Sequence, residues 1–172
     1  MRPVDQSQQL IPPDKFQNSQ LASGERFLKF PLNSQINSLL SLSDLRGTIE
    51  VCLTEILPVP HIAESWLGIV NWRGEAVWIL DLACFLGGVH WCRQAKVEDQ
   101  AMAILIQLKA QTVGLLVRQI HTIESYERTK LLPIPEPMLS QQQHKFFEGY
   151  FLDPDGQALM LLDLSSLLTA LI

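Results

Sequence analysis

An all-β protein made of two small barrels is the fold class the sequence predicts, and three observations predict it. Short apolar runs follow one another closely from Phe27 onward, and few stretches suit a long helix. Strong turn signals separate them, at Arg73-Gly74, Lys109-Ala110-Gln111 and Asp153-Pro154-Asp155-Gly156. One nine-residue phrase occurs twice, GEAVWILDL from Gly74 to Leu82 and GQALMLLDL from Gly156 to Leu164. A repeat of this kind argues for two similar subdomains, each a small barrel closed by a short helix. The long alternating helices of a doubly wound α/β fold are missing.

Residues 1–24 are rich in Gln, Pro, Ser and Asp and are expected to form a flexible tail ahead of a domain spanning 25–171. Phe27 and Leu28 open the first strand. SLLSLSDLRGTIEVCL reads as strand, turn, strand, because Gly47, Thr48, Ile49, Val51 and Thr54 disfavour helix. In LPVPHI, Pro58 and Pro60 exclude a central strand and suggest an edge or polyproline-like run. AESWLG reads as one helical turn closed by Gly68, IVN as a brief strand and AVWIL as another. AMAILIQL and TVGLLV form a buried hairpin. LLPIPEPML repeats the proline alternation. SQQQHKFFEGY is expected to be a short helix ending at Gly149, ALMLL the last strand and LSSLLTALI a closing helix.

The two copies of the repeat have local reasons. Gly74 and Gly156 turn the chain into strands that are apolar on both faces, which implies burial on both sides. Asp81 and Asp163 then stand where an N-cap is needed before a short apolar helix. The rival reading, a pair of catalytic carboxylates, has no further support. Only the first copy is preceded by Asn71-Trp72-Arg73. Trp and Arg together mark interface anchors, and a guanidinium can stack on an indole. The alternative is that Trp72 and Trp78, taken to share one alternation, are core and that Arg73 snorkels to the surface.

Composition excludes several function classes. The chain has 172 residues and a net charge of −5, and its basic residues are scattered, which argues against nucleic acid. Cys52, Cys84 and Cys92 are odd in number and lack CxxC spacing, so neither a disulfide framework nor a structural zinc is expected. Cys52 and Cys84 read as core hydrophobes. His61, His90, His121 and His144 are far apart, and His90-Trp91-Cys92 has no matching ligand pair. Phosphate loops, dinucleotide fingerprints and nucleophile elbows are absent, so neither catalysis nor a cofactor is expected. The longest apolar stretch is broken by Asp81 and falls short of the ~20 residues that span a bilayer, so a cytoplasmic protein without membrane insertion is the expectation.

GIVNWRGEAVWILDL, with LSLSDLRGTIEV, LPVPHIAESWLG, QTVGLLVRQI, LLPIP and FFEGYFLDPDGQALMLLDLSSLL, resembles the signature of CheW-like domains over most of the chain. The Trp of Asn-Trp-Arg-Gly and the Leu-Asp-Pro-x-Gly turn look most like members tied to type IV pilus motility and phototaxis. The resemblance implies two five-stranded, SH3-like β-barrels packed side by side. It implies a non-catalytic adaptor that joins a chemoreceptor's cytoplasmic tip, in the groove between barrels, to the regulatory domain of a chemotaxis-type histidine kinase at barrel ends. Arg73 falls on the family's receptor-coupling arginine, with Asn71, Trp72 and Glu55 as the accompanying partner-binding candidates. Two positions depart from the family pattern. Gly47 stands where a glutamate often faces that arginine, leaving Glu50 or Glu55 as substitutes, and Arg118 stands where the family has Asp. Specificity is therefore expected to differ, and a stand-alone regulatory module that has lost receptor coupling is the alternative.

Overall fold

The computed structural model describes residues 24–88 and 100–172. The expected tail, apart from Gly24, and the His90-Trp91-Cys92 run lie outside the described residues. The strands are β1 (Glu25–Pro31), β2 (Asn37–Ser41), β3 (Leu45–Cys52), β4 (Trp66–Trp72), β5 (Glu75–Asp81), β6 (Gln100–Leu108), β7 (Gln111–Val117), β8 (Thr122–Tyr126), β9 (Phe147–Leu152) and β10 (Ala158–Leu162). The helices are α1 (Leu82–Phe85), α2 (Gln141–His144) and α3 (Leu164–Leu171).

The strands form two five-stranded sheets, ordered β3-β6-β7-β5-β4 and β8-β1-β2-β10-β9. Across both sheets the neighbours are antiparallel, antiparallel, parallel and antiparallel in turn. The two sheets are therefore one design. In the first the chain runs straight through β3 to β7. In the second it supplies β8, β9 and β10, and the N-terminal hairpin β1–β2 takes the places that β6 and β7 hold in the first. The second sheet is thus a circularly permuted copy. It is completed by the parallel pairing of β10 with β2, Leu159 opposite Asn37 and Leu161 opposite Leu39.

Each sheet closes on itself by the same device. Leu57, just past β3, exchanges both backbone hydrogen bonds with Ile69 in β4, at 2.8 and 2.9 Å. Leu132, just past β8, does so with Tyr150 in β9, at 2.9 Å each. Pro58 and Pro133 follow those leucines. A proline has no N–H to donate, so pairing stops at a single bridge.

Strand alternation sorts the side chains into three cores. Val77 and Ile79 of β5 point inside the first barrel with Ile49, Val70, Ala103 and Leu116. Leu159 and Leu161 of β10 point inside the second with Phe27, Leu39 and Phe151. Leu80, Met160 and Leu162 face the other way and meet Leu28, Phe30, Ile104 and Leu115 between the barrels. Strands apolar on both faces are what the repeat predicts, because one face fills a barrel and the other joins it to its twin.

Several local expectations differ from the structure. Trp66–Gly68 belongs to β4 and is not a helical turn; Gly68 is there because Leu57 crosses against it, and a Cβ would lie 2.1 Å from the Leu57 carbonyl oxygen. The helix expected to run to Gly149 stops at His144, and Phe147 already starts β9. Cys52 and Cys84 are half-buried and not core residues. TIESY, unassigned from sequence, is β8, drawn into the sheet by pairing with β1.

Candidate functional site

The β4–β5 hairpin carries the Asn71-Trp72-Arg73-Gly74 run at its tip. Trp72 pairs with Glu75, so the turn has two residues, and both have positive φ, 51° at Arg73 and 85° at Gly74. Those signs define the turn whose twist matches a right-twisted hairpin. The left-handed backbone costs a non-glycine residue roughly 1 kcal/mol, so Arg73 is held there against its own preference. Asn71 helps hold it, since its Oδ1 accepts from the Gly74 N–H at 2.9 Å.

Arg73 is exposed, and its guanidinium carbon sits 5.3 Å from the Trp72 ring centroid. An exposed contact of this kind contributes about 0.5–1 kcal/mol. Trp72 is only 8 % exposed and packs among the inner residues of the first barrel. Its indole N–H is buried without an acceptor among the described residues. Trp78 lies on the opposite face, partly buried, in a T-shaped contact with Trp66 at 6.0 Å. The two tryptophans therefore do not share a face. A two-residue turn pairs Trp72 with Glu75 and Val70 with Val77, which places Trp78 opposite Ile69 and on the outside.

Glu55 is exposed in the turn Leu53–Glu55. Among the described residues no ion pair joins Arg73 to Glu50 or Glu55. Gly47 is buried in β3 opposite Leu105, beside a bulge at Arg46. Arg46 Nη1 donates to Thr112 Oγ1 at 2.6 Å and to Gln107 Oε1 at 3.0 Å. Arg118 is exposed just past β7.

The remaining repeat residues sit at the turns and caps. Asp81 Oδ1 accepts from Cys84 N at 3.1 Å at the start of α1, and Asp163 Oδ1 accepts from Ser166 N at 3.1 Å at the start of α3. Their backbones match too, since Asp81 N–H donates to Ser65 O and Asp163 N–H to Phe146 O, both at 2.8 Å. In the β9–β10 turn Asp153 plays the part of Asn71, its Oδ1 accepting from Asp155 N and Gln157 N at 2.9 and 2.8 Å. Gly156 has a φ of 77°. The two tips differ in length, since Leu152 pairs with Ala158 across the second turn, and they present opposite charge, Arg73 on one and Asp155 on the other.

One charged cluster has no signal in the sequence, because its members are far apart along the chain. Arg128, just past β8, donates from Nε to Glu25 Oε2 at 2.9 Å and from Nη1 to Glu148 Oε2 at 2.5 Å. It joins β1 to the edge strand β9, across the seam of the second barrel. The hydrogen bond from Arg128 holds the Glu25 carboxyl below its usual range. Asp44 is pushed up, first by burial and then by the neighbouring Glu25 and Glu148. Nearby, Tyr126 donates to Glu124 at 2.5 Å and stacks on Phe151. Burial, then that carboxylate, raises its phenol.

Among the described residues no group of three His, Cys, Asp or Glu is placed to hold a metal, and no helix is long and apolar enough to cross a membrane. The architecture defines a class, mainly-β proteins of two SH3-like five-stranded barrels sharing a central core. Within that class the chain belongs to the CheW-like domain family, whose model matches residues 26–171. It is 27% identical over 129 residues to the chemotaxis protein CheW of Rhizobium meliloti (strain 1021), covering 75% of this chain and 76% of that one. Its fold is similar to the crystal structure of the scaffolding protein TtCheW from Thermoanaerobacter tengcongensis, with a TM-score of 0.66, 21% identity, and coverage of 81% of this chain and 89% of that one.

Proposed function

We propose that this chain is a non-catalytic, cytoplasmic adaptor that couples a chemoreceptor's cytoplasmic tip to the regulatory domain of a chemotaxis-type histidine kinase, in a system controlling motility or phototaxis. Membership of the CheW-like family supports the class of function. The observation that carries the site is Arg73, exposed at a turn that its own backbone preference resists. Strain of this kind persists where surrounding structure over-determines it and is concentrated at functional positions. In this reading Arg73 is the contact, Asn71 and Trp72 position it, and Glu55 belongs to the same partner-binding surface. The domain that does this spans 25–171, preceded by a tail.

The test is titration of the protein and of Arg73→Ala against the kinase regulatory domain and the receptor tip of the same organism. The expected result is binding to both by the parent chain. The variant should keep its melting temperature and the kinase, and lose the receptor. No binding of either partner at high concentration would remove the adaptor reading. A second reading, a regulatory module of this fold without receptor coupling, is favoured by Gly47 and Arg118, the two departures from the family pattern. Kinase binding without receptor binding by the parent chain would select it.

A further inference from the structure

Three described residues other than glycine have positive φ, His61 at 60°, Arg73 at 51° and Lys109 at 53°. Histidine is one of the residue types enriched in the left-handed region, and lysine and arginine are not. Lys109 is therefore the counterpart of Arg73, and it stands at the same kind of place. Leu108 pairs with Gln111, so the β6–β7 turn has two residues, Lys109 and Ala110, as the β4–β5 turn has Arg73 and Gly74. Strands β5 and β7 run parallel, with Trp78 opposite Val113. Gly74 lies four residues before the one and Lys109 four before the other, so both turns stand at the same end of the first barrel.

The two turns are also braced alike. Asn71, two residues before Arg73, accepts from the Gly74 N–H. Gln107, two residues before Lys109, donates from Nε2 to the Lys109 carbonyl at 2.8 Å. Gln107 is held in turn, since its Oε1 accepts from Arg46 Nη1 at 3.0 Å, and the same Nη1 donates to Thr112 Oγ1 at 2.6 Å. These contacts fix the backbone and leave both basic side chains outside. Arg73 and Lys109 are exposed, and among the described residues neither is in an ion pair. Glu75, exposed beside the Arg73 turn, pairs with neither. A two-residue hairpin turn favours Asn, Asp or Gly at a left-handed position. An arginine and a lysine are held there instead, at one end of a barrel in a chain of net charge −5. Strain of this kind is concentrated at functional positions.

We infer that Lys109 is a second partner contact, and that Lys109 and Arg73 together take carboxylates on an acidic face of the receptor tip. The inference rests on the reading of Arg73 as the receptor contact and adds to it the chemistry of what is bound. Two cations on braced turns select a face that carries carboxylates at two places, so the second tip sets specificity as well as affinity. Arg46 and Gln107 are positioning residues, acting through the Lys109 turn.

The test titrates the full chain and its Lys109 variants against the receptor tip of the same organism, with the kinase regulatory domain as the control partner. Lys109→Asn suits the left-handed backbone and removes the charge. It should melt no lower than the parent and bind the receptor tip about fivefold more weakly, as for one exposed charge pair. Lys109→Glu should weaken binding further, and Lys109→Arg should keep the parental affinity. Kinase binding should be unchanged in all three. Raising the salt concentration should cost the parent more affinity than Lys109→Asn, since the variant has one charge pair fewer to screen. Receptor affinity unchanged in both Lys109→Asn and Lys109→Glu would overturn the inference; if Arg73→Ala lost the receptor in the same assay, the Arg73 reading would stand without it. A loss in Lys109→Asn with none in Arg73→Ala would overturn the Arg73 reading and the pairing of the two tips, leaving Lys109 as the contact. Equal salt dependence in the parent and Lys109→Asn would overturn the acidic face, and no receptor binding by the parent would remove both readings.

Discussion

Gly68 lies against the carbonyl of Leu57 so closely that a Cβ at residue 68 would sit 2.1 Å from that oxygen. Gly149 has the same relation to Leu132, at 2.5 Å, in the permuted barrel. The two glycines are what allow each sheet to close by a single bridge.

Substituting either closing glycine should therefore be costly. Gly68→Ala drives a Cβ into backbone and also imposes a side chain at a φ of 143°, and several kcal/mol of stability should be lost. Gly149→Ala should cost somewhat less. Gly74→Ala meets no atom within 4 Å, and only its φ of 85° opposes it, so about 1 kcal/mol is expected. Urea unfolding of the three variants checks the order. A Gly68→Ala protein as stable as the Gly74→Ala one would show that the seam is not closed in this way.

Among the described residues, Arg128 is the cation that pairs with Glu25 and Glu148 and lies near Asp44 at the seam of the second barrel. Arg128→Ala should leave three carboxylates facing one another, yet the pairs are partly exposed, at 48 % for Arg128 and 32 % and 34 % for its partners. Solvent screening limits the expected loss to about 1 kcal/mol, shrinking in high salt. Thermal melts at low and high ionic strength measure it. A loss that grows with salt would contradict the electrostatic account.

Glu25 and Asp44 should act on stability with opposite signs. Glu25 titrates below its usual 4.5 in the folded protein, so its contribution is complete above that range and is lost as pH falls through the depressed value. Asp44 titrates above its usual 3.8, so its charge is a penalty at neutral pH that disappears as pH falls through the raised value. Asp44→Asn should then be modestly more stable than the parent at pH 7 and equal to it below about pH 3.5. Glu25→Gln should be less stable at pH 7. Unfolding curves across pH decide both, and a destabilised Asp44→Asn at pH 7 would reverse the assignment.

Asp163 caps α3 through Ser166, accepting from its N–H at 3.1 Å and its hydroxyl at 2.6 Å. Asp163→Ala should cost about 1–2 kcal/mol, and Asp163→Asn much less, because the amide oxygen still accepts. Leu164 and Leu167 anchor that helix in the core between the barrels. Hydrogen exchange should report the loss first at α3, and uniform protection in the alanine variant would deny the cap its role.

Much of the local structure was legible because its causes are local. Turns at Arg73-Gly74 and Asp153–Gly156, the prolines that interrupt pairing and the strand–cap order follow from residues within a few positions of one another. The strand β8 was not legible, since TIESY has weak apolar alternation and is a strand only because β1 lies beside it. The helical reading of AESWLG failed for the same kind of reason, as Gly68 answers a contact with Leu57, eleven residues earlier in the chain. The separation of Trp72 from Trp78 was hidden by the turn, because a two-residue turn changes which positions share a face.

By itself the sequence determined two like subdomains, strands buried on both faces, and glycine turns and aspartates where those strands begin and end. Periodicity and turn chemistry act over a few residues, and a repeated phrase repeats those forces. The tertiary structure alone decided that β1–β2 completes the second barrel, that Arg128 bridges Glu25 and Glu148, and that Arg73 faces solvent. Each depends on pairing between segments distant in the chain, where register and sheet closure determine which face meets which core.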